Sequence, residues 1–132
     1  MIERTLIIRA DALEMIFDGI KRWEVRSRPT RVRGRIALSE KGANAIVGTC
    51  TLHDVEGLLT IDQVLKNARR MGHTRAEIEE DLSGWRQDCR DERVYAWVLR
   101  DVRRLRHPVA FANPSGAVTW ARVPESIGRR LR

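Results

Sequence analysis

Residues 94–99 constrain the fold of this chain more than any other part of its sequence. They read Val-Tyr-Ala-Trp-Val-Leu, so a strand built from them is apolar on both faces. Short apolar runs rich in β-branched and aromatic residues are typical of interior strands that are covered on both sides. We therefore expect a central strand here, and residues 102–106 are predicted to extend it past a bulge.

Further strands and helices are predicted on both sides of this segment. Apolar and alternating runs indicate strands at residues 5–9, 23–26, 32–38, 45–52 and 117–121. A helix is expected directly after the first strand, with Asp11 and Glu14 forming a capping box and Gly19 ending it. Two further capping boxes, at Thr60 and Thr74, predict two more helices. This order favours an α+β fold in which a mixed, curled sheet forms a small β-barrel with flanking helices.

The chain is short and strongly basic. Its 132 residues fit a single domain, residues 1–132, in which residues 60–92 form a helical insertion. The net charge of +7 favours a polyanionic partner, because the arginine fork matches phosphate geometry, although a surface merely solvated by arginine is the alternative. Cys50 and Cys89 lie far apart without metal-ligand spacing, so no metal and no cofactor are predicted.

The expected location is the reducing cytoplasm. No disulfide framework is indicated by the two cysteines, and the apolar run near the amino terminus is too short for a signal peptide. No segment approaches the roughly 20 apolar residues that a membrane helix needs. We therefore expect no membrane partner.

Residues 19–26, Gly-Ile-Lys-Arg-Trp-Glu-Val-Arg, combine a helix end with a strand of alternating character. Because neighbouring strand residues point to opposite faces, Glu24 and Arg26 are expected to share one face, with Lys21 nearby. A half-buried lysine beside a carboxylate could act as nucleophile or base, and the carboxylate could relay its proton. Lys21 and Glu24 are therefore the candidate catalytic residues, and Arg26 could hold a phosphate. An ordinary surface ion pair between Glu24 and Arg26 is the alternative.

The arginines that follow this motif are candidates for contacts with a phosphate backbone. If the next strand begins early enough, Arg31, Arg33 and Arg35 lie on one face and suit a polyanion, although a solvated sheet face explains them equally well. Ser39 and Lys41 lie at the end of that strand and could join the same site.

Recognition of a base also requires a flat apolar face for stacking. Trp23 lies within residues 19–26, next to Glu24, and is evenly balanced between ligand and core, whereas Trp97 and Trp120 are expected in the core. Trp85 is the candidate for an exposed stacking residue, with packing at a helix end as the alternative. His73 is discounted as a lone histidine in a turn.

Three stretches of the chain together resemble the ASCH domain, a member of the PUA-like superfamily of small RNA-associated β-barrels. Residues 19–26 match the pattern G-x-K-x-x-E-x-R at all four fixed positions, and residues 33–38 are similar to the family's R-G-x-hydrophobic strand. Residues 95–99, 108–109 and 116–120 resemble its closing strands. The resemblance implies a cleft beside the first helix that is lined by the polar residues of the motif.

The function that the resemblance implies is binding of RNA or a nucleotide, in a regulator linked to RNA or translation. The residues expected to contact the nucleic acid are Lys21, Trp23, Arg26, Arg33, Arg35 and Ser39. The alternative is a hydrolase using Lys21 and Glu24, since one branch of the family resembles an amidohydrolase of acylated cytidine and another is reported to be a ribonuclease. The amidohydrolase branch has a threonine where this chain has Glu24.

Overall fold

The computed structural model of the chain describes residues 1–74, 76–77 and 93–131. The strands are β1 Arg4–Ile8, β2 Trp23–Arg26, β3 Gly34–Glu40, β4 Ala45–Thr60, β5 Arg93–Ala110 and β6 Trp120–Arg122. The helices are α1 Ala10–Phe17, α2 Ile61–Lys66, a 3-10 turn Ala68–Arg70, and α3 Glu125–Gly128. Within these ranges no helix is long and apolar enough to cross a membrane.

All six strands form one mixed sheet in the order β2-β5-β4-β3-β1-β6. The β1–β3 pair is parallel and the other pairs are antiparallel. Strand β5 lies between β2 and β4, and Val94, Ala96 and Trp97 on it are buried, so the expectation of an interior strand is confirmed. Asp101 has a φ of 49° where the β4–β5 register shifts, which agrees with the predicted bulge.

The α+β class is confirmed, whereas closure of the sheet into a barrel stays a prediction. β2 and β6 are the two ends of the strand order, and no backbone pairing joins them in the part of the chain that the structure describes. Side chains span the gap instead. Arg26 on β2 donates from Nη2 to the carbonyl oxygen of Ile7 on β1 at 3.3 Å, and Trp97 on β5 stacks against Trp120 on β6.

The core consists of three clusters around this curled sheet. Leu13 and Ile16 of α1 pack with Trp97 against the concave side of the strands. The segment that follows β4 supplies Val64 and Met71 to a second cluster. A third cluster lies at the other end of the sheet and joins the two termini of the described chain through Ile2, Val123 and Leu131.

The start of α1 differs from its prediction. Arg9 is the N-cap residue and its side chain makes no capping hydrogen bond. Asp11 lies inside the first turn, where Oδ1 accepts from the amide of Ala12, and Glu14 reaches away to pair with Arg104 at 3.0 Å. The predicted capping box was therefore wrong, because an arginine on the neighbouring strand outcompetes the local backbone for the carboxylate. Gly19 has a φ of 77° and ends the helix as predicted.

The second predicted helix begins where the sequence indicated. The capping box of Thr60 and Gln63 is complete, and Thr74 and Glu77 exchange the two hydrogen bonds of a further box. Residues 78–92, which include Trp85 and Cys89, lie outside the described residues. The description of residues 60–92 as an insertion stays a prediction.

Candidate functional site

The motif at residues 19–26 is held in place by backbone contacts on two sides. The amides of Ile20 and Lys21 both donate to the carbonyl of Met15, at 3.0 and 3.1 Å, which anchors the turn after α1. On the other side, Lys21 forms an isolated antiparallel bridge with Met71, and the amide of Arg22 donates to a carbonyl of the same 3-10 segment. These contacts fix the backbone at Lys21 and therefore the point from which its side chain extends.

Lys21, Glu24 and Arg26 form a chain of ionised groups that are largely withdrawn from water. Nζ of Lys21 lies 3.7 Å from Oε2 of Glu24, and Nε of Arg26 lies 3.3 Å from Oε1 of Glu24. Their side chains are 6%, 13% and 23% exposed, respectively. The expectation that the three converge is met, and the face that they share is far more buried than a solvated strand face. The alternative of an ordinary surface ion pair is therefore excluded for Glu24 and Arg26.

Burial lowers the pKa of Lys21 below the ordinary value for lysine. The negative charge of Glu24 raises the pKa and opposes this effect, and the positive charges of Arg26 and Arg9 lower it further. The net shift is downward, which makes the neutral amine more accessible than in an exposed lysine. Oε2 of Glu24 is buried and accepts no hydrogen bond in the described part of the chain.

A pocket of about 300 Å³, here called the lysine pocket, opens above these groups. Strand β1, helix α1 and strand β2 supply most of its wall, and Arg9 and Lys41 add exposed positive charge at its rim. Met71 and His73 enter the wall from the segment after α2. His73, which was discounted as a lone histidine in a turn, lies in this wall. Its place in the wall depends on chain packing across some fifty residues, which no local spacing reveals.

A larger pocket of about 710 Å³, here called the tryptophan pocket, lies beside the lysine pocket in the gap between β2 and β6. Trp97 and Trp120 stack in it with ring centroids 5.7 Å apart and planes 15° apart. Both tryptophans were expected in the core. Trp97 is buried there, at 2% exposure, whereas Trp120 is only half-buried. The remaining lining residues are Val25, Arg26, Ser27, Arg28, Pro29, Val94, Val118 and Thr119.

Two of the candidate residues lie in the interior, away from either pocket. Trp23 is 2% exposed and packs in the cluster beneath α2, with the guanidinium of Arg70 5.2 Å from its ring centroid. Ser39 is fully buried, and its hydroxyl lies 2.6 Å from the hydroxyl of Thr5 on the paired strand β1. The structure does not bring these two side chains together with Lys21.

The predicted arginine stripe does not form. Strand β3 begins at Gly34, so Arg31 and Arg33 precede it and have no period-2 relation to Arg35. Arg33 donates to the carbonyls of Thr30 and Val32, both at 2.8 Å. Arg35 binds the carbonyl of Asp101 at 2.7 Å and hydroxyls of β4, beside a separate pocket of about 420 Å³. Of the predicted contact residues, Lys21 and Arg26 share one pocket and the others do not line it.

In the described residues no group of three or more acidic, histidine or cysteine side chains is arranged to hold a metal ion. In the lysine pocket, whose rim also carries exposed Asp11 next to Arg9, the least exposed charged groups are instead a cation, a carboxylate and a guanidinium. Such a set can donate to an anion, accept from a polar ligand hydrogen through Glu24, and exchange protons through Lys21.

Comparison with solved structures finds the same fold in an ASCH protein of Zymomonas mobilis. Its crystal structure superposes with a TM-score of 0.72 at 16% sequence identity, covering 96% of this chain and 91% of that chain. A tyrosine-to-phenylalanine mutant and a serine-to-alanine mutant of that protein superpose with TM-scores of 0.71 and 0.70, also at 16% identity. Both superpositions cover 96% of this chain. They cover 94% of the tyrosine mutant and 92% of the serine mutant. No curated protein matches the chain.

Comparison with protein families gives a match over most of the chain. The model of the ASCH domain matches residues 6–109, a range that contains the motif, α1 and strands β2 to β4. The similar structures show the same fold at low sequence identity. The chain therefore belongs to the ASCH domain family.

Proposed function

We propose that this protein binds RNA or a nucleotide in the lysine pocket. ASCH domains are thought to bind RNA, and the net charge of +7 suits a polyanionic partner. The rim of the pocket carries Arg9 and Lys41, both exposed, while Lys21 and Arg26 lie deeper. Phosphate oxygens at the rim and polar atoms of a base or ribose inside are the contacts that this arrangement favours.

The single observation that carries the proposal is the buried carboxylate oxygen of Glu24. Oε2 accepts no hydrogen bond within the described residues, and Nζ of Lys21 lies too far away, at 3.7 Å, to supply one. A buried acceptor without a partner costs about 1–3 kcal/mol. A ligand that places a hydrogen-bond donor on Oε2 and an acceptor near Nζ satisfies both groups at once. Base edges carry adjacent donors and acceptors of this kind.

The test is binding of fluorescently labelled single-stranded RNA at low salt, measured by anisotropy. Lys21→Ala and Arg26→Ala are expected to weaken binding, and the exposed Lys66→Ala on α2 serves as the matched control for loss of one positive charge. Thermal unfolding of each variant separates weakened binding from loss of the fold. Equal affinity of wild type, Lys21→Ala and Arg26→Ala would remove the lysine pocket from the binding site.

A second candidate function is hydrolysis of RNA or of an acylated nucleoside. It is favoured by the lowered pKa of Lys21 next to the carboxylate of Glu24, because an amine that loses its proton more readily serves as base or nucleophile. Glu24 would then receive or return the proton. Product formation that disappears in both Lys21→Ala and Glu24→Gln supports this function, and binding without turnover across RNA and acylated-nucleoside substrates rejects it.

The cellular role that we propose is regulation linked to RNA or translation, in the cytoplasm. It follows from binding of RNA as the primary activity. Cosedimentation of the protein with ribosomal or RNA fractions, lost in Lys21→Ala and kept in Lys66→Ala, is the expected result. If the protein stays in the RNA-free fraction of cell extracts, this role is contradicted.

A further inference from the structure

We propose that the tryptophan pocket is a second nucleoside subsite, in which the base adjacent to the nucleotide in the lysine pocket stacks on Trp120. The protein would then bind two consecutive nucleotides of a single strand. This inference rests on the proposed function, since the lysine pocket has to hold the first nucleotide. It assigns a ligand to a pocket that the G-x-K-x-x-E-x-R motif reaches only through Val25 and Arg26.

The aromatic pair supplies a rigid platform. Nε1 of Trp97 donates to the carbonyl of Arg28 at 3.0 Å, which fixes the ring against the segment after β2. Trp120 stacks on this fixed ring. Because Trp97 is 2% exposed and Trp120 is half-buried, Trp120 offers the ring area that a ligand can reach. Bases stack on aromatic side chains of this kind largely without regard to sequence.

An apolar rim extends this platform toward the lysine pocket. Val118 is 75% exposed, the highest value among the large apolar residues in the described part of the chain, and it lines both pockets. It is delivered by the loop that follows the turn at Gly116, whose φ is 84°. A flat ring resting on Trp120 would cover Val118 as well, which accounts for apolar surface otherwise left in water.

The two pockets are neighbours, and each has a size typical of a small-molecule site. The shared wall consists of Val25, Arg26 and Val118. Volumes of about 710 and 300 Å³ fall within the range of roughly 300–1,000 Å³ that is typical of small-molecule sites. A strand that enters both pockets has to pass over this wall.

The charge on the wall matches the phosphate that joins two nucleosides. Arg26 uses Nε on Glu24 and Nη2 on Ile7, whereas Nη1 makes no hydrogen bond within the described part of the chain. Arg28 is exposed and lines only the tryptophan pocket. An anionic linker between two bases therefore meets the anchored guanidinium of Arg26 and the exposed guanidinium of Arg28, a combination that favours nucleic acid over an uncharged aromatic ligand.

The experiment compares a mononucleotide with a dinucleotide by isothermal titration calorimetry. The probes are 5′-AMP, 3′-AMP and the dinucleotide ApA, which carries one phosphate and so gains nothing from extra charge. Wild type is expected to bind ApA about 5- to 140-fold more tightly than either AMP, the increment that stacking one base supplies. Trp120→Leu is expected to abolish that advantage while leaving the affinity for AMP within about twofold.

Matched variants distinguish a loss of binding from a loss of the fold. Trp120→Phe retains an aromatic face and is expected to keep most of the advantage of ApA. Arg28→Gln is expected to weaken ApA and whichever AMP isomer places its phosphate at the linker position, but not the other isomer, whereas Arg122→Gln, which removes an exposed charge outside both pockets, changes none of them. Circular dichroism melts identify any variant that has lost its fold.

The possible outcomes separate this inference from the proposed function. If folded Trp120→Leu keeps the full advantage of ApA, or if wild type has no such advantage, the second subsite is overturned. In either case weakened AMP binding in Lys21→Ala would leave the proposed function intact. If wild type binds neither AMP nor ApA nor longer RNA, both proposals fail together.

Discussion

Nζ of Lys21 lies 3.7 Å from Oε2 of Glu24, close enough for attraction between charges but beyond hydrogen-bonding distance. Both side chains are largely buried, so the pair carries the desolvation cost of two ions without the hydrogen bond that usually offsets it. Arg26 engages the other oxygen of the same carboxylate at 3.3 Å and prevents the side chain from turning toward the lysine. Such an arrangement adds little to the stability of the fold. It is well suited to bind a polar ligand.

The pKa of Lys21 is expected to lie below the ordinary value of 10.5, because burial disfavours the ammonium form. Glu24→Gln should lower it further, since the charge of Glu24 raises the pKa of Lys21 in the wild type. The measurement is a pH titration of the lysine side-chain signals by carbon and nitrogen NMR. Loss of one signal in Lys21→Arg assigns the resonance. A higher pKa of Lys21 in Glu24→Gln than in wild type contradicts the prediction.

The same shift makes stability depend on pH in the alkaline range. The penalty of burying the ammonium is fully present below the lowered pKa of folded Lys21. It is relieved as pH rises from that pKa toward 10.5, because the unfolded chain binds more protons in this interval. The free energy of unfolding should therefore gain a positive slope with pH there, and Lys21→Met should lack this contribution. Urea unfolding at a series of pH values measures this slope in wild type and in Lys21→Met. Identical slopes in the two proteins would refute the lowered pKa of Lys21.

Ser39→Ala is expected to lower stability by about 1–3 kcal/mol, because it leaves the buried hydroxyl of Thr5 without its partner. The double variant Thr5→Val, Ser39→Ala should lose less than the sum of the two single variants, since it removes both polar groups. Chemical unfolding gives these values. RNA binding by folded Ser39→Ala is expected to match wild type, because Ser39 lines neither pocket. Weakened binding would place Ser39 back in the site.

Gly48→Ala is expected to cost about 1–3 kcal/mol through overpacking. A methyl group at this position of β4 would lie 2.7 Å from the carbonyl oxygen of Arg103 and even closer to the ring of Phe17. Thermal unfolding measures the loss. In a Phe17→Leu background the same substitution should be less harmful, because part of the obstructing ring is gone. An unchanged cost in that background would show that the β5 backbone alone sets the limit.

Local patterns were sufficient for the α+β class, for the interior position of β5 and for the capping box at Thr60. They failed at the start of α1, where Glu14 pairs with Arg104, ninety residues away in the chain. They also failed for Arg31 and Arg33, because the strand starts only after both of them, at Gly34. Each failure has the same cause, which is a contact or a boundary set by a distant element.

The sequence by itself determined that Lys21, Glu24 and Arg26 would converge, because a helix end followed by a period-2 strand fixes their relative directions. It also determined an α+β sheet with a buried central strand. Only the tertiary structure decided how deeply these charges are buried, since β1 and the segment after α2 cover them. It alone brought Trp97 and Trp120 together beside Arg26, because the curl of the sheet brings two edges together that lie far apart in the strand order.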